Sequence, residues 1–195
     1  MEIIRPESIQ PLPHHATNVF KGVVFDVYQW QQKQFDGSFR TFEKLKRKDT
    51  ASIVPVTDNG TILVNFEQQP GITKPFYTNP CGEINSGESV IDGAARELLE
   101  ETGYQAAEWS VWHATQPISK IEWVVYVLIA HGCTKVKEAD PGIGEKIETK
   151  EITFDEFCDL LIAGTIPYDN MRLAILEARC DPVKMSALKK LFRII

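Results

Sequence analysis

The segment Gly82–Tyr104, GEINSGESVIDGAARELLEETGY, decides how the rest of the chain is read. It opens with glycine-punctuated turn residues and continues with apolar Ile91, Ala94, Ala95, Leu98 and Leu99 at helical spacing. Ser89 suits the N-cap, with Asp92 three residues on, and Gly103 suits the left-handed position that ends a helix. Gly93 inside the helix costs about 1 kcal/mol relative to alanine. The apolar stripe predicts a buried face, with Glu97, Glu100 and Glu101 opposite it. Residues at i, i+3 and i+4 are neighbours on a helix, so Glu97 crowds both other glutamates at roughly 0.2–0.5 kcal/mol of repulsion per pair. Composition alone fits a solvated glutamate face. A fold that keeps such repulsion beside Arg96 also fits a bound cation.

Upstream, Val19–Trp30 (VFKGVVFDVYQW) is rich in β-branched and aromatic residues and reads as one strand. The Asp36-Gly37 turn then returns the chain through Phe39–Arg47. Lys44, Lys46, Arg47 and Lys48 form a basic run that fits either a lysine-protected sheet edge or a phosphate-facing patch. Ala51–Val56 and Thr61–Phe66 flank Asn59-Gly60, a second hairpin signal. Three prolines between Gln69 and Pro80 predict a loop. Residues 1–18 read as a solvated arm, in which His14 and His15 have no further metal ligands nearby.

Downstream, Trp109–Ala114 and Glu122–Ala130 read as strands, and Asp140–Gly144 as a turn-rich loop leading into a last strand that ends near Ile152. Thr153 and Glu156 make a capping box for a helix to about Ala163, ended by Gly164. Helices follow near Asn170–Arg179 and Pro182–Phe192, the second with Asp181 as N-cap. This order predicts an α/β fold with helices on both faces of a mixed sheet.

Hydrophobic residues make up 43% of the 195, ample for a core, and the formal net charge is −6. That balance argues against nucleic-acid binding, which needs a basic surface. It also means that an anionic substrate needs a cation or a local basic patch to approach. Carboxylates are hard ligands suited to Mg²⁺ or Mn²⁺. Four widely spaced cysteines, no apolar leader and no apolar run near the roughly 18 residues that span a bilayer predict a cytoplasmic protein with reduced thiols and no membrane partner.

The spacing G-x5-E-x7-R-E-U-x-E-E-x-G-U, where U is a bulky aliphatic residue, is met at Gly82, Glu88, Arg96, Glu97, Leu98, Glu100, Glu101 and Gly103. Only the last position departs, being Tyr104. The segment resembles the Nudix box, the signature of the Nudix hydrolases. The resemblance implies an α/β/α sandwich around a mixed sheet and divalent-cation-dependent hydrolysis of a nucleoside diphosphate linked to another group. It implies Glu97 and Glu101 as principal metal ligands, Glu100 as a further ligand or its supporting neighbour, and the Cys81 carbonyl as a backbone ligand. Arg96 would orient the carboxylates, and Glu88 would brace the loop between Gly82 and the helix.

The segment DGSFRTFEKLKRKD is similar to the N-terminal β domain of ADP-ribose pyrophosphatases and related nucleotide-sugar hydrolases. That implies a small antiparallel β domain over residues 1–50, a Nudix domain over 51–195, and a homodimer. In this frame Phe42 matches an aromatic residue that stacks on the nucleobase, although a strand aromatic facing the core reads the same. Pro117 matches a proline downstream of the box, and Arg47 belongs to the phosphate-facing reading of the basic run. Glu145 in PGIGEKIE matches the catalytic base, with Glu148 next and a box glutamate as the alternative. Gln69 stands where ADP-ribose-cleaving relatives carry an arginine, so charge and bidentate geometry are lost there. The expected activity is Mg²⁺-dependent cleavage of ADP-ribose or another nucleoside diphosphate sugar to a nucleoside monophosphate and a sugar phosphate, Mn²⁺ being the substitute metal. The alternatives are a nucleotide-binding sensor without activity and a nucleoside triphosphatase.

Overall fold

The structure, a computed structural model, describes residues 3–142 and 144–194; position 143, within the loop expected at 140–144, lies outside the described residues. The strands are β1 Thr17–Lys21, β2 Asp26–Lys33, β3 Phe39–Lys46, β4 Thr50–Thr57, β5 Ile62–Gln68, β6 Phe76–Thr78, β7 Cys81–Glu83, β8 Tyr104–Gln105, β9 Glu108–Thr115, β10 Ile121–Glu122, β11 Val125–Lys135 and β12 Lys146–Ile152. The helices are α1 Val90–Thr102, α2 Phe154–Ile162, α3 Asp169–Cys180 and α4 Pro182–Phe192.

Two sheets result. The smaller runs β1-β2-β3-β10, and the larger runs β12-β5-β4-β11-β8, with β6 on β5, β7 on β4 and β9 on β11. In the larger sheet β11 pairs with β4 in parallel and every other pairing is antiparallel, so the sheet is mixed. Period-two alternation feeds both of its faces. From β11, Tyr126, Leu128 and Ala130 enter the core under α1, where Ala94 and Leu98 meet them. Val127 and Ile129 enter the opposite core, built with Phe157 and Leu161 of α2, Met171 and Ile175 of α3, and Leu188 and Phe192 of α4. Full burial of each such side chain contributes roughly 1.5–3 kcal/mol. The arrangement is an α/β/α sandwich, as the order of elements predicts.

Local turn chemistry accounts for most boundaries. Gly37 and Gly60 close the two hairpins at positive φ. Ser89 accepts from the Asp92 N–H, Thr153 and Glu156 form a reciprocal capping box, and Asp181 caps α4 ahead of Pro182. The structure corrects four expectations. Val19–Trp30 is two strands, because the Gly22 N–H donates to the Phe25 carbonyl at 3.1 Å and folds β1 back on β2. Glu122–Ala130 is likewise divided: Ile121–Glu122 joins β3 in the smaller sheet, and β11 starts at Val125 in the larger. The proline-rich stretch contains β6, which pairs with β5. The N-terminal arm is docked, not solvated, although His14 and His15 are exposed.

Candidate active site

The glutamate helix does not keep its carboxylates in water on a face opposite the core. Glu101 is only 7% exposed. Its Oε2 accepts from Asn65 Nδ2 at 2.6 Å and from the Cys81 backbone N–H at 3.3 Å. Strand alternation in β5 sends Val64 into the α2–α4 core and leaves Asn65 and Glu67 on the other side. Glu97 is also nearly enclosed, its side chain 14% exposed. It can sit there because residue 82 has no side chain: a Cβ on Gly82 would overlap the Glu97 carboxyl group. At the C-terminal end of α1, Gly103 holds φ +76°, and a Cβ there would strike the Lys137 carbonyl. Glycine is therefore required both in β7 against Glu97 and at the C-terminal end of α1.

Arg96 locks the outer half of the cluster. Nε and Nη2 grip the two oxygens of Glu88 at 3.0 and 3.1 Å, Nη1 reaches Glu97 Oε1 at 2.7 Å and Glu100 Oε2 at 3.2 Å, and Nη2 also donates to the Glu83 carbonyl at 2.9 Å. Glu88 in turn accepts from the Asn85 N–H at 2.9 Å, which ties the turn to the helix. The three glutamates thus separate by role. Glu100 is half-exposed and turned to Arg96, Glu97 lies between, and Glu101 points inward.

A residue absent from the sequence reading completes the group. Glu67 is 5% exposed and receives a hydrogen bond from Gln69 Nε2. Burial pushes its carboxyl above the ordinary range and the Glu145 charge adds to this, while Gln69 opposes it. Burial also raises Glu97, against the pull of Arg96 and with the help of the Glu100 and Glu145 charges. Glu101 is pushed up to about 9, first by burial and then by the Glu97, Glu145 and Glu67 charges. Glu67, Glu97 and Glu101 therefore lie together, mostly enclosed, the exposed Glu145 adds its charge from the neighbouring loop, and Arg96 neutralises only the outer edge. That donor set fits a divalent cation, for which hard carboxylate oxygens are ordinary ligands. Among the described residues no three histidine, cysteine or acidic side chains stand at ligating geometry, with Glu97 held by Arg96.

The remaining predicted residues fall into two sets. Glu145 is exposed on its loop, and its charge adds to the raised state of Glu67, Glu97 and Glu101. Glu148 does not: it pairs across the sheet with Phe66, is 70% exposed and lies 3.9 Å from Lys150. Cys81 starts β7 with a free, partly buried thiol, pushed up to about 12 by burial and the Glu101 charge. Pro117 lines a cleft of about 330 Å³ with His113, Thr115, Trp123 and Tyr168. Arg47 lies over the Trp123 ring at 4.9 Å and over Phe25 at 5.6 Å, and reaches Glu83 at 3.4 Å. Phe42 is not joined to this group: its ring packs 5.9 Å from Trp30 and under Lys120. The basic run fits neither simple reading. Lys44 turns inward and is 1% exposed, Lys46 lies over Tyr28, and Arg47 and Lys48 bind Glu83 in the strand before the α1 turn.

Fold and site together define the class. Residues 46–171 match the NUDIX domain, and the chain belongs to that family of hydrolases. An "ADP-ribose pyrophosphatase" of Bacillus subtilis is 27% identical over 146 residues, 73% of this chain and 78% of the relative. A "Methanol dehydrogenase activator" of Bacillus methanolicus is 27% identical over 142 residues, 71% of this chain and 76% of the relative. A crystal structure described as an ADP compounds hydrolase aligns over all of both chains with TM-score 0.69 at 18% identity, which shows a shared fold. No helix among the described residues is long and apolar enough to cross a membrane.

Proposed function

We propose that this enzyme hydrolyses the pyrophosphate bond of a nucleoside diphosphate sugar, ADP-ribose foremost, with Mg²⁺ as cofactor and Mn²⁺ as its substitute. The products are a nucleoside monophosphate and a sugar phosphate. The observation that carries the reading is the enclosed group of Glu67, Glu97 and Glu101 beside the Arg96 lock, with Glu145 on the loop next to it. A protein of net charge −6 that buries three carboxylates together gains from a cation there, which would also let a diphosphate approach them. The "ADP-ribose pyrophosphatase" relatives support the substrate class.

Glu97 and Glu101, with the Cys81 carbonyl and with Glu100 or Glu67 as a further donor, would hold the cation. When bound, it supplies charge neutralisation for the diphosphate and a more acidic water. The chain's own residues do the rest. Asn65 and the Cys81 N–H orient Glu101, and Arg96 and the bare Cα of Gly82 orient Glu97. Glu145 takes the proton of the attacking water as its oxygen bonds to phosphorus, and the bridging P–O bond breaks toward the leaving phosphate. Arg47 and the cleft lined by Pro117 and Trp123 receive the substrate away from the reacting atoms. Gln69 holds Glu67 in place of an arginine that would grip phosphate. The chain acts as a homodimer, for which the exposed Val19 and Phe20 of β1 and Val23 and Val24 of the turn after it offer an apolar surface.

The test is turnover of a panel of nucleotide sugars and nucleoside triphosphates in Mg²⁺ with the products identified. Hydrolysis confined to triphosphates, or tight nucleotide-sugar binding without hydrolysis, would replace this reading.

A further inference from the structure

The N-terminal arm is fastened to the fold by buried charge. Lys44 on β3 has three N–H donors and three acceptors, each at 2.7 Å: Ser8 Oγ and the Gln10 carbonyl in the arm, and Glu122 Oε2 in β10. Arg5 forks onto Asp49 at 2.8 and 3.1 Å and reaches the other Glu122 oxygen at 2.9 Å. Burial alone would raise the Glu122 carboxyl, but Lys44 and Arg5 outweigh it and hold it below its ordinary range. Two lighter bonds finish the strap: Gln116 Nε2 to the Pro6 carbonyl at 3.0 Å and Lys120 Nζ to Gln10 Oε1 at 2.9 Å. A fully matched buried cation is costly to leave half-partnered, so this cluster fixes one arrangement of its parts.

Those parts lead to the substrate cleft. The Glu122 carbonyl accepts from the Arg47 N–H at 3.3 Å, and Trp123, the next residue, carries the Arg47 guanidinium on its ring. Trp123 Nε1 is pinned to Thr50 Oγ1 at 3.0 Å, and Asp49, held by Arg5, accepts from the Val124 N–H at 2.8 Å. Pro117 and Trp123 face the same cleft. We infer that Arg5, Lys44 and Glu122 are positioning residues, through which the arm sets Trp123, a wall of the cleft, with Arg47 stacked on its ring. This rests on the reading that the cleft takes the nucleotide sugar.

Arg5→Gln is the test variant, because Arg5 is partly exposed and its loss leaves Lys44 paired. With ADP-ribose and Mg²⁺, KM rises about tenfold, as for a contact misplaced by less than an ångström, while kcat stays within about twofold. In a Trp123→Ala background the same substitution leaves KM unchanged, because the wall it positions is gone. A second readout needs no turnover. Acrylamide quenching of Trp123 fluorescence, taken as the difference from a matched Trp123→Phe protein, increases in Arg5→Gln. An unchanged KM and quenching in folded Arg5→Gln protein, or the same tenfold effect without Trp123, overturns the inference. Altered quenching in a protein that hydrolyses no nucleotide sugar upholds the positioning cluster and removes the substrate reading instead.

Discussion

Replacing Glu101 with glutamine should raise stability while abolishing activity. The carboxyl group moves from 4.5 to about 9 on folding, chiefly because it is buried among other carboxylates. A carboxyl raised by folding stabilises below its unfolded pKa and loses that contribution as pH climbs from 4.5 toward 9. At pH 7 the loss covers about 2.5 pH units at roughly 1.36 kcal/mol each, or roughly 3 kcal/mol. Glutamine removes this cost, keeps an oxygen for Asn65 and the Cys81 N–H, and turns its amide toward carboxylates that can accept from it. Some charge-assisted bonding to Asn65 is lost, so the net gain is about 1–3 kcal/mol. For a chain of this length that raises Tm by roughly 2–10 °C. Thermal unfolding in EDTA at pH 7 and pH 4 measures it, with the two proteins converging at pH 4. Added Mg²⁺ at a hundred times its Kd should stabilise the parent by about 2.7 kcal/mol and the variant by nothing. A variant less stable than its parent at pH 7, or one that keeps the Mg²⁺ shift, would refute the reasoning.

Gly82→Ala drives a methyl into the Glu97 carboxyl; overpacking costs about 1–3 kcal/mol, and Mg²⁺-dependent turnover falls by at least about tenfold, measured by denaturation and initial rates. Glu145→Gln lowers kcat by about 10²–10⁴ with little change in Tm, whereas Glu148→Gln leaves kcat unchanged, because only the first has its charge felt at Glu101. Glu122 titrates below its ordinary range, so its stabilisation is present above pH 4.5 and disappears as pH falls through the folded-state value. Urea unfolding of Glu122→Gln against the parent should show a stability gap at pH 7 that narrows toward pH 3.

What could be read from the sequence is what neighbouring residues decide. Ser89, Thr153 and Asp181 cap helices using groups two or three positions away, and Gly37 and Gly60 shape their hairpins locally. The Arg96 lock was legible because its partners Glu88, Glu97 and Glu100 lie within eight residues of it. The misread features depend on distant partners. Val19–Trp30 carries uniform strand propensity, and its break at Gly22 follows from β1 folding back on β2. Glu122 leaves the path of β11 because Lys44 and Arg5, 78 and 117 positions away, hold it in the smaller sheet. Glu67 was visible as a charge alternating with Asn65, but only the distant Asn65–Glu101 hydrogen bond tells which side of the strand faces the site. The burial of Glu101 has the same origin: helical spacing alone does not distinguish a solvated carboxylate from one enclosed against a sheet.

The most direct measurement is hydrolysis of ADP-ribose in H₂¹⁸O with Mg²⁺, with mass analysis of both products, for the parent protein and Glu101→Gln. The account predicts AMP and ribose phosphate, one of them bearing a single ¹⁸O, from the parent only, and none of either in EDTA. Intact ADP-ribose with every other nucleotide sugar equally untouched, or cleavage that persists in Glu101→Gln, would contradict it.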